Sequence, residues 1–232
     1  MKEIRICVLN PNSDEALGAE IERICAETLA PATRFFVCSN PAGPRFLRSP
    51  EDEAEAAPGM LDIARRREKD YDVLVLACTR DPILGKLRRL LSKPVLGSAE
   101  SAFHMAIFLG CRFSLLQTST HSVEAKRVLI RKYGFSESCA SVRGFDPVPF
   151  TEEAVLSGLV EEARKAVRED GAEAVVLGGV AGIGRYGERV REFLPVPVID
   201  GLPAALLLAE SLARLGLAAA KSRSPRSGPE TD

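Results

Sequence analysis

Apolar and polar positions along this chain follow two rhythms. Short apolar runs such as EIRICVL, DVLVLA, RFSLLQ and EAVVLG are separated by longer segments in which apolar residues recur every three or four positions. A short apolar run suits a strand buried on both faces, and the longer segments suit amphipathic helices that cover it. The pattern predicts strands near 3–9, 34–38, 72–77, 94–97, 112–117, 138–143, 173–178 and 196–199. It predicts helices near 13–30, 51–69, 82–92, 99–109, 121–133, 151–169 and 202–215. Strands alternating with helices in this way define an α/β fold with parallel sheets.

The pattern also repeats itself. KPVLGSAESAFHMAIFLG from Lys93 has a counterpart in VPVIDGLPAALLLAESLA from Val196, YDVLVLACTRDPI from Tyr71 in GAEAVVLGGVAGI from Gly171, and IRICVLNPNS from Ile4 in RFSLLQTSTHS from Arg112. The three pairs keep one order and an offset of roughly 100 residues, the mark of an internal duplication. The expectation is two similar half-domains related by a pseudo-two-fold axis, one formed by residues 1–97 with 200–220 and the other by 98–199. The polar, Pro/Ser-rich tail 221–232 is expected to be disordered. Such halves bring the C-terminal ends of their strands to face one cleft, the edge at which open α/β sheets bind ligands.

Composition narrows the partners. With Lys plus Arg at 31 against Asp plus Glu at 32, no strong field points to nucleic acid or to an anionic membrane surface. The absence of tryptophan leaves a base-stacking surface without support. No apolar run reaches the ~18 residues of a membrane span, and the N-terminus has no signal-peptide pattern, so a cytoplasmic protein is expected. Six cysteines lack metal-ligand spacing and only two histidines accompany them, which argues against a zinc site. Small molecules are the expected partners, and association into a homo-oligomer is compatible with the sequence.

The chemistry-bearing residues cluster at predicted strand ends. Cys78, in LACTRDP, closes an apolar run and precedes Thr79, Arg80, Asp81 and Pro82. A nearby helix N-terminus and the Arg80 guanidinium would favour its thiolate over the ordinary pKa of about 8.5. The duplication assigns it Gly179 as a mate, so that one wall of the cleft offers a thiol and the other no side chain. NPNS, with Asn10, Asn12 and Ser13, opens the first helix, where capping side chains and free amides suit an anion. Its counterpart QTST contributes Thr118 and Ser119. Arg80 suits a substrate carboxylate or a pairing with Asp81 or Asp72. The GGVAGIG loop at 178–184 matches no nucleotide-binding pattern.

The ordered set VLNPNS, LACTRDP, PVLGSAESAFHMAIFLGCRFSLLQT, SVRGFDPVP, AVVLGGVAGI and PVIDGLPAAL resembles the aspartate/glutamate/hydantoin racemase superfamily, most closely its hydantoin racemase branch. The resemblance implies two flavodoxin-like three-layer halves and chemistry without metal or organic cofactor. It also implies two cysteines flanking a stereocentre, one removing the α-proton as thiolate and the other returning a proton from the opposite face. Cys78 matches the first cysteine position. Asn10, Ser13, Thr79 and Thr118 match loops that hold substrate; Asn12, Ser119, Gly179 and Val180 are further substrate-binding candidates in those loops, as is Arg80, which stands where this branch is expected to carry a smaller or uncharged residue. Gly179 stands where the family pattern LGCAG has its second cysteine.

Three readings follow. The first is a cofactor-independent racemase or epimerase of a hydantoin or amino-acid-like substrate, with water, His104 or Tyr186 supplying the far-face proton. The second is a single-thiol decarboxylase or cis-trans isomerase of a small dicarboxylate. The third is a binding protein without turnover.

Overall fold

In the computed structural model the described residues are 3–110, 112–179 and 186–218. Cys111, Val180 and the tail 221–232 therefore lie outside them. The chain forms β1 (Ile4–Asn10), α1 (Glu15–Thr28), β2 (Thr33–Ser39), α2 (Pro50–Arg66), β3 (Val73–Leu76), α3 (Leu84–Leu90), β4 (Val95–Gly97) and α4 (Ser98–Phe108). It continues through β5 (Phe113–Gln117), α5 (Val123–Lys132), β6 (Cys139–Gly144), α6 (Glu152–Glu169), β7 (Ala174–Leu177), α7 (Gly187–Arg191), β8 (Val198–Asp200) and α8 (Gly201–Arg214). Each predicted element is present with ends within about three residues of expectation, whereas the five-residue α7 is too short for a periodic signal.

Two parallel four-stranded sheets result, with orders β2-β1-β3-β4 and β6-β5-β7-β8. Period-two alternation sorts each strand onto two covered faces. Ile6, Val8, Val73 and Val75 pack with Ile21 and Ile24 of α1 and with Leu202, Ala205, Leu206 and Ala209 of α8. The intervening Cys7, Leu9, Leu74 and Leu76 pack on the opposite face with Ala56 and Met60 of α2 and Leu84 and Leu87 of α3. The second sheet repeats this arrangement. Phe113, Leu115, Ala174 and Val176 meet α4 and α5, while Leu116, Val175 and Leu177 meet α6 and α7. The expected α/β architecture with three-layer halves is thus the observed one. The last helix of each half changes sides: α4 follows the first sheet but packs on the second, and α8 follows the second but packs on the first.

The strand ladders fix the register of the repeat. Leu9 pairs with Leu76, which pairs with Gly97; Leu116 pairs with Leu177, which pairs with Asp200. Asn10 and Gln117 accordingly occupy one equivalent place, as do Cys78 and Gly179, each two residues beyond its paired leucine. Among the described residues no helix is long and apolar enough to cross a membrane.

Candidate active site

The C-terminal strand ends of both sheets open into one cleft of about 850 Å³. The first half contributes Asn12, Ala77, Cys78, Thr79 and Arg80, and the second contributes Gln117, Thr118, Ser119, Gly178 and Gly179. Its mouth is partly apolar, with Leu17, Phe46, Leu47, Pro147 and Phe150 along the rim. Phe46 and Phe150 remain exposed, a placement that leaves apolar surface available to a ligand.

The Cys78 loop is the most tightly determined part of the wall. Asp81, at φ +47°, closes a turn by donating its N–H to the Cys78 carbonyl. Its carboxylate then accepts from Ala99 N at 3.1 Å, from Glu100 N at 2.9 Å and from the Tyr133 hydroxyl at 3.0 Å. Asp81 thereby caps α4, whose own N-cap residue is Gly97 and offers no side chain. A side chain there would displace the cap, because a Cβ at 97 would stand 2.4 Å from the Asp81 carboxyl group. Burial pushes the Asp81 carboxyl up to about 6, although the two amides and the tyrosine oppose that shift.

Cys78 is half-buried and keeps part of its surface toward the cleft. Its thiol is pushed up to about 11, first by burial, against the lowering effects of the Arg80 N–H and of the Lys126 charge. The expected lowering is therefore reversed. The predicted helix start at 82 lies instead at Leu84, and α3 is a seven-residue helix whose cap residue Ile83 makes no side-chain hydrogen bond. Arg80 does not reach into a carboxylate site of its own: its Nε donates to Glu53 Oε1 at 2.6 Å, and neither Asp81 nor Asp72 is its partner.

Thr79 bridges the halves. Its hydroxyl donates to the Gly178 carbonyl at 2.6 Å, and Lys126 of α5 donates from Nζ to the Thr79 carbonyl and, at 3.3 Å, to the Thr79 hydroxyl. Lys126 is 3% exposed and lines the cleft. Burial pulls its ammonium down to about 8, despite the raising influence of Cys78 and Asp81. Among the described residues no carboxylate ion-pairs with it.

Several sequence assignments change. Asn10 is fully buried and stays out of the cleft lining; its Oδ1 accepts from Asn12 N and Nδ2, and its Nδ2 donates to Ser39. Asn12 does line the cleft, yet its Oδ1 accepts from Leu47 N at 2.7 Å, so this pair of asparagines builds the loop that forms the wall. The amides expected to be free are occupied, Asn12 N by Asn10 and Ser13 N by the Pro44 carbonyl. Ser13 is not part of the lining, and Asp14 is the residue that caps α1, accepting from Leu17 N. His104 lies exposed on α4 with its ring 5.0 Å from that of Phe135, away from the cleft. Tyr186 is buried with Leu116, Val155 and Leu177 behind the second sheet, so neither residue lines the cavity as a proton donor. Thr79, Arg80, Thr118, Ser119 and Gly179 do line it.

Gln117 lines the cleft as the first residue of the expected QTST loop, while His121, Lys126 and Asp146 are lining residues that the motif reading did not assign to the site. Lys126 had left a signal. It stands three and four residues before Leu129 and Ile130 and is buried with them, so a lysine interrupts the apolar stripe of a helix. Gly178 also has a local reason: a Cβ there would lie 1.2 Å from Gln117 Nε2.

Comparison with known proteins agrees with this architecture. The pattern of the family described as Asp/Glu/Hydantoin racemase matches residues 6–209. The chain is 34% identical over 227 residues to a hydantoin racemase of Paenarthrobacter aurescens, covering 95% of this chain and 96% of that one. Its structure superposes on the allantoin racemase from Klebsiella pneumoniae with a TM-score of 0.86 at 33% identity, over 97% of each chain. It superposes on the allantoin racemase from Pseudomonas fluorescens with a TM-score of 0.87 at 29% identity, over 99% of this chain and 100% of that one. From the duplicated fold, the facing strand ends and these whole-length likenesses, the chain belongs to the Asp/Glu/hydantoin racemase family.

Proposed function

We propose that this protein is a cofactor-independent racemase or epimerase acting on a hydantoin-like small molecule, with Cys78 as the base that removes the proton from the stereocentre. The observation that carries the reading is the position of Cys78 at a strand end in the shared cleft of a chain that matches hydantoin racemases along its length. A proton next to a carbonyl leaves as an enolate forms, so the reaction needs a base and donors for the developing oxyanion. The hydroxyl-bearing Thr118 and Ser119 line the same cavity and supply such donors. The aromatic residues at the mouth favour a hydantoin with an apolar substituent on its stereocentre.

The test is incubation of each enantiomer of 5-benzylhydantoin and of allantoin in deuterated water, following optical rotation and α-deuterium together. The expected result is loss of rotation with α-exchange well above the enzyme-free rate. The absence of both for both compounds would sink the reading.

A second reading rests on Gly179. Because no side chain faces the cleft at the place equivalent to Cys78, a reaction that uses a single proton donor, such as decarboxylation of a malonate, also fits. Carbon dioxide release from an arylmalonate without racemisation of either hydantoin would favour it.

A further inference from the structure

Inversion at carbon needs two proton-handling groups, and Gly179 can provide none. Among the described residues lining the cleft, the ionisable side chains are Cys78, Arg48, Arg80, His121, Lys126 and Asp146. Arginine as a residue type is not a proton donor in acid–base exchange in proteins, which sets both guanidinium groups aside. Asp146 accepts from the Thr120 hydroxyl at 2.5 Å, a bond that holds its carboxyl below the usual carboxylate range. His121 is exposed at the cleft mouth. Lys126 remains. It is carried on α5 of the half opposite Cys78, it is buried, and its ammonium sits where the halves meet, donating to the Thr79 carbonyl and, at 3.3 Å, to the Thr79 hydroxyl, which itself bonds the carbonyl of Gly178, the residue beside Gly179.

We infer that Lys126 is the second acid–base group of this site, carrying the proton that residue 179 cannot. The assignment rests on the racemase reading given above. In one direction the Cys78 sulfur forms an S–H bond as the substrate C–H bond breaks and its electron pair passes into the enolate. The enolate carbon then takes a proton from the Lys126 ammonium, whose N–H electron pair stays on nitrogen as a neutral amine. In the other direction the amine removes the proton and the thiol returns one. The thiolate–ammonium and thiol–amine forms contain the same number of protons, so one protonation level of the enzyme serves both enantiomers, and no oxidant or reductant is involved.

Burial makes the amine accessible, and the charges around it set its balance: Cys78 and Asp81 raise its proton affinity, Arg80 lowers it, and Glu53 raises it. Activity should rise as the first proton leaves the pair, near pH 8, and fall as the second leaves, near pH 11.

The experiment compares wild type, Lys126→Met and Lys126→Arg on the two enantiomers of 5-benzylhydantoin in deuterated water, with circular dichroism confirming the fold. Arginine retains the positive charge but does not release its proton. The expected result is that both variants lose racemisation by roughly 10²–10⁴-fold while still exchanging the α-proton of the one enantiomer that faces Cys78. Introducing Gly179→Cys into Lys126→Met should then restore racemisation. Three outcomes overturn the assignment: racemisation within about threefold of wild type in either variant; loss of exchange and racemisation in equal measure; or wild-type activity that does not fall below pH 8. An inactive wild type would instead remove the racemase reading, and this assignment with it.

Discussion

β3 and β7 hold equivalent places in the two sheets, but β3 runs on into Ala77, Cys78, Thr79, Arg80 and Asp81, and β7 into Gly178 and Gly179. The next elements differ in a matching way. Helix α8 is capped by its own Asp200, whose carboxylate accepts from Leu202 N at 3.2 Å. At the equivalent position α4 has Gly97, and the capping carboxylate comes instead from Asp81, across the sheet edge. One duplicated frame has therefore satisfied the same helix end in two ways. Only the borrowed cap ties the loop that carries Cys78 to the rigid part of the fold, so the first half holds its thiol in a fixed place. In the second half the described part of the wall ends on two glycines, and Lys126 reaches from α5 to the Thr79 carbonyl and hydroxyl of the first half.

The largest expected consequence of this asymmetry is chemical. Cys78→Ala should remove both racemisation and α-exchange, by roughly 10²–10⁴-fold, whereas Gly179→Ala should alter neither beyond about tenfold. A polarimetric assay of the two variants breaks the comparison if they respond alike.

The next effect is on stability against pH. The Asp81 carboxyl is raised in the folded protein to about 6, so folding binds a proton between the ordinary aspartate range and that value. Stability should be greatest below about pH 4 with respect to this group and should decline as pH rises through 6, by at most about 3 kcal/mol. Asp200, raised by burial to about 7, adds a decline of the same sign. Denaturant melts of Asp81→Asn across this range should keep only the part that belongs to Asp200, and an unchanged slope would show that Asp81 is not the titrating group.

The smallest effect concerns the space behind the borrowed cap. Gly97→Ala places a methyl group against the Asp81 carboxyl and should cost roughly 1–3 kcal/mol, with a parallel loss of activity as the Cys78 loop shifts. Gly187→Ala is the control, because a Cβ there meets Leu177 at an ordinary 3.6 Å. Equal thermal melting of the two variants would mean that the cap is not what holds the loop.

The strands and helices were legible because each rests on local information. A run such as VLVL is apolar at every position since both faces of β3 are covered, and the alternation of Val73 and Val75 with Leu74 and Leu76 assigns those faces. The duplication was legible for the same reason, and with it the mate of Cys78. Hydrogen-bond partners were not, since they depend on which groups meet in space. The sequence offered Asn10 and Ser13 to a ligand, but folding turned Asn10 inward onto Asn12 and Ser39 and gave the Ser13 amide to Pro44. It offered Arg80 to Asp81, but that carboxylate was taken by the start of α4 and the guanidinium went to Glu53. It suggested an acidified thiol, yet loss of solvent around Cys78 outweighed the neighbouring charge. Local pattern thus determined the architecture and the place of the sulfur, while the tertiary structure decided its ionisation and its lysine neighbour. Desolvation and long-range contact are properties of the assembled molecule and of no segment of it.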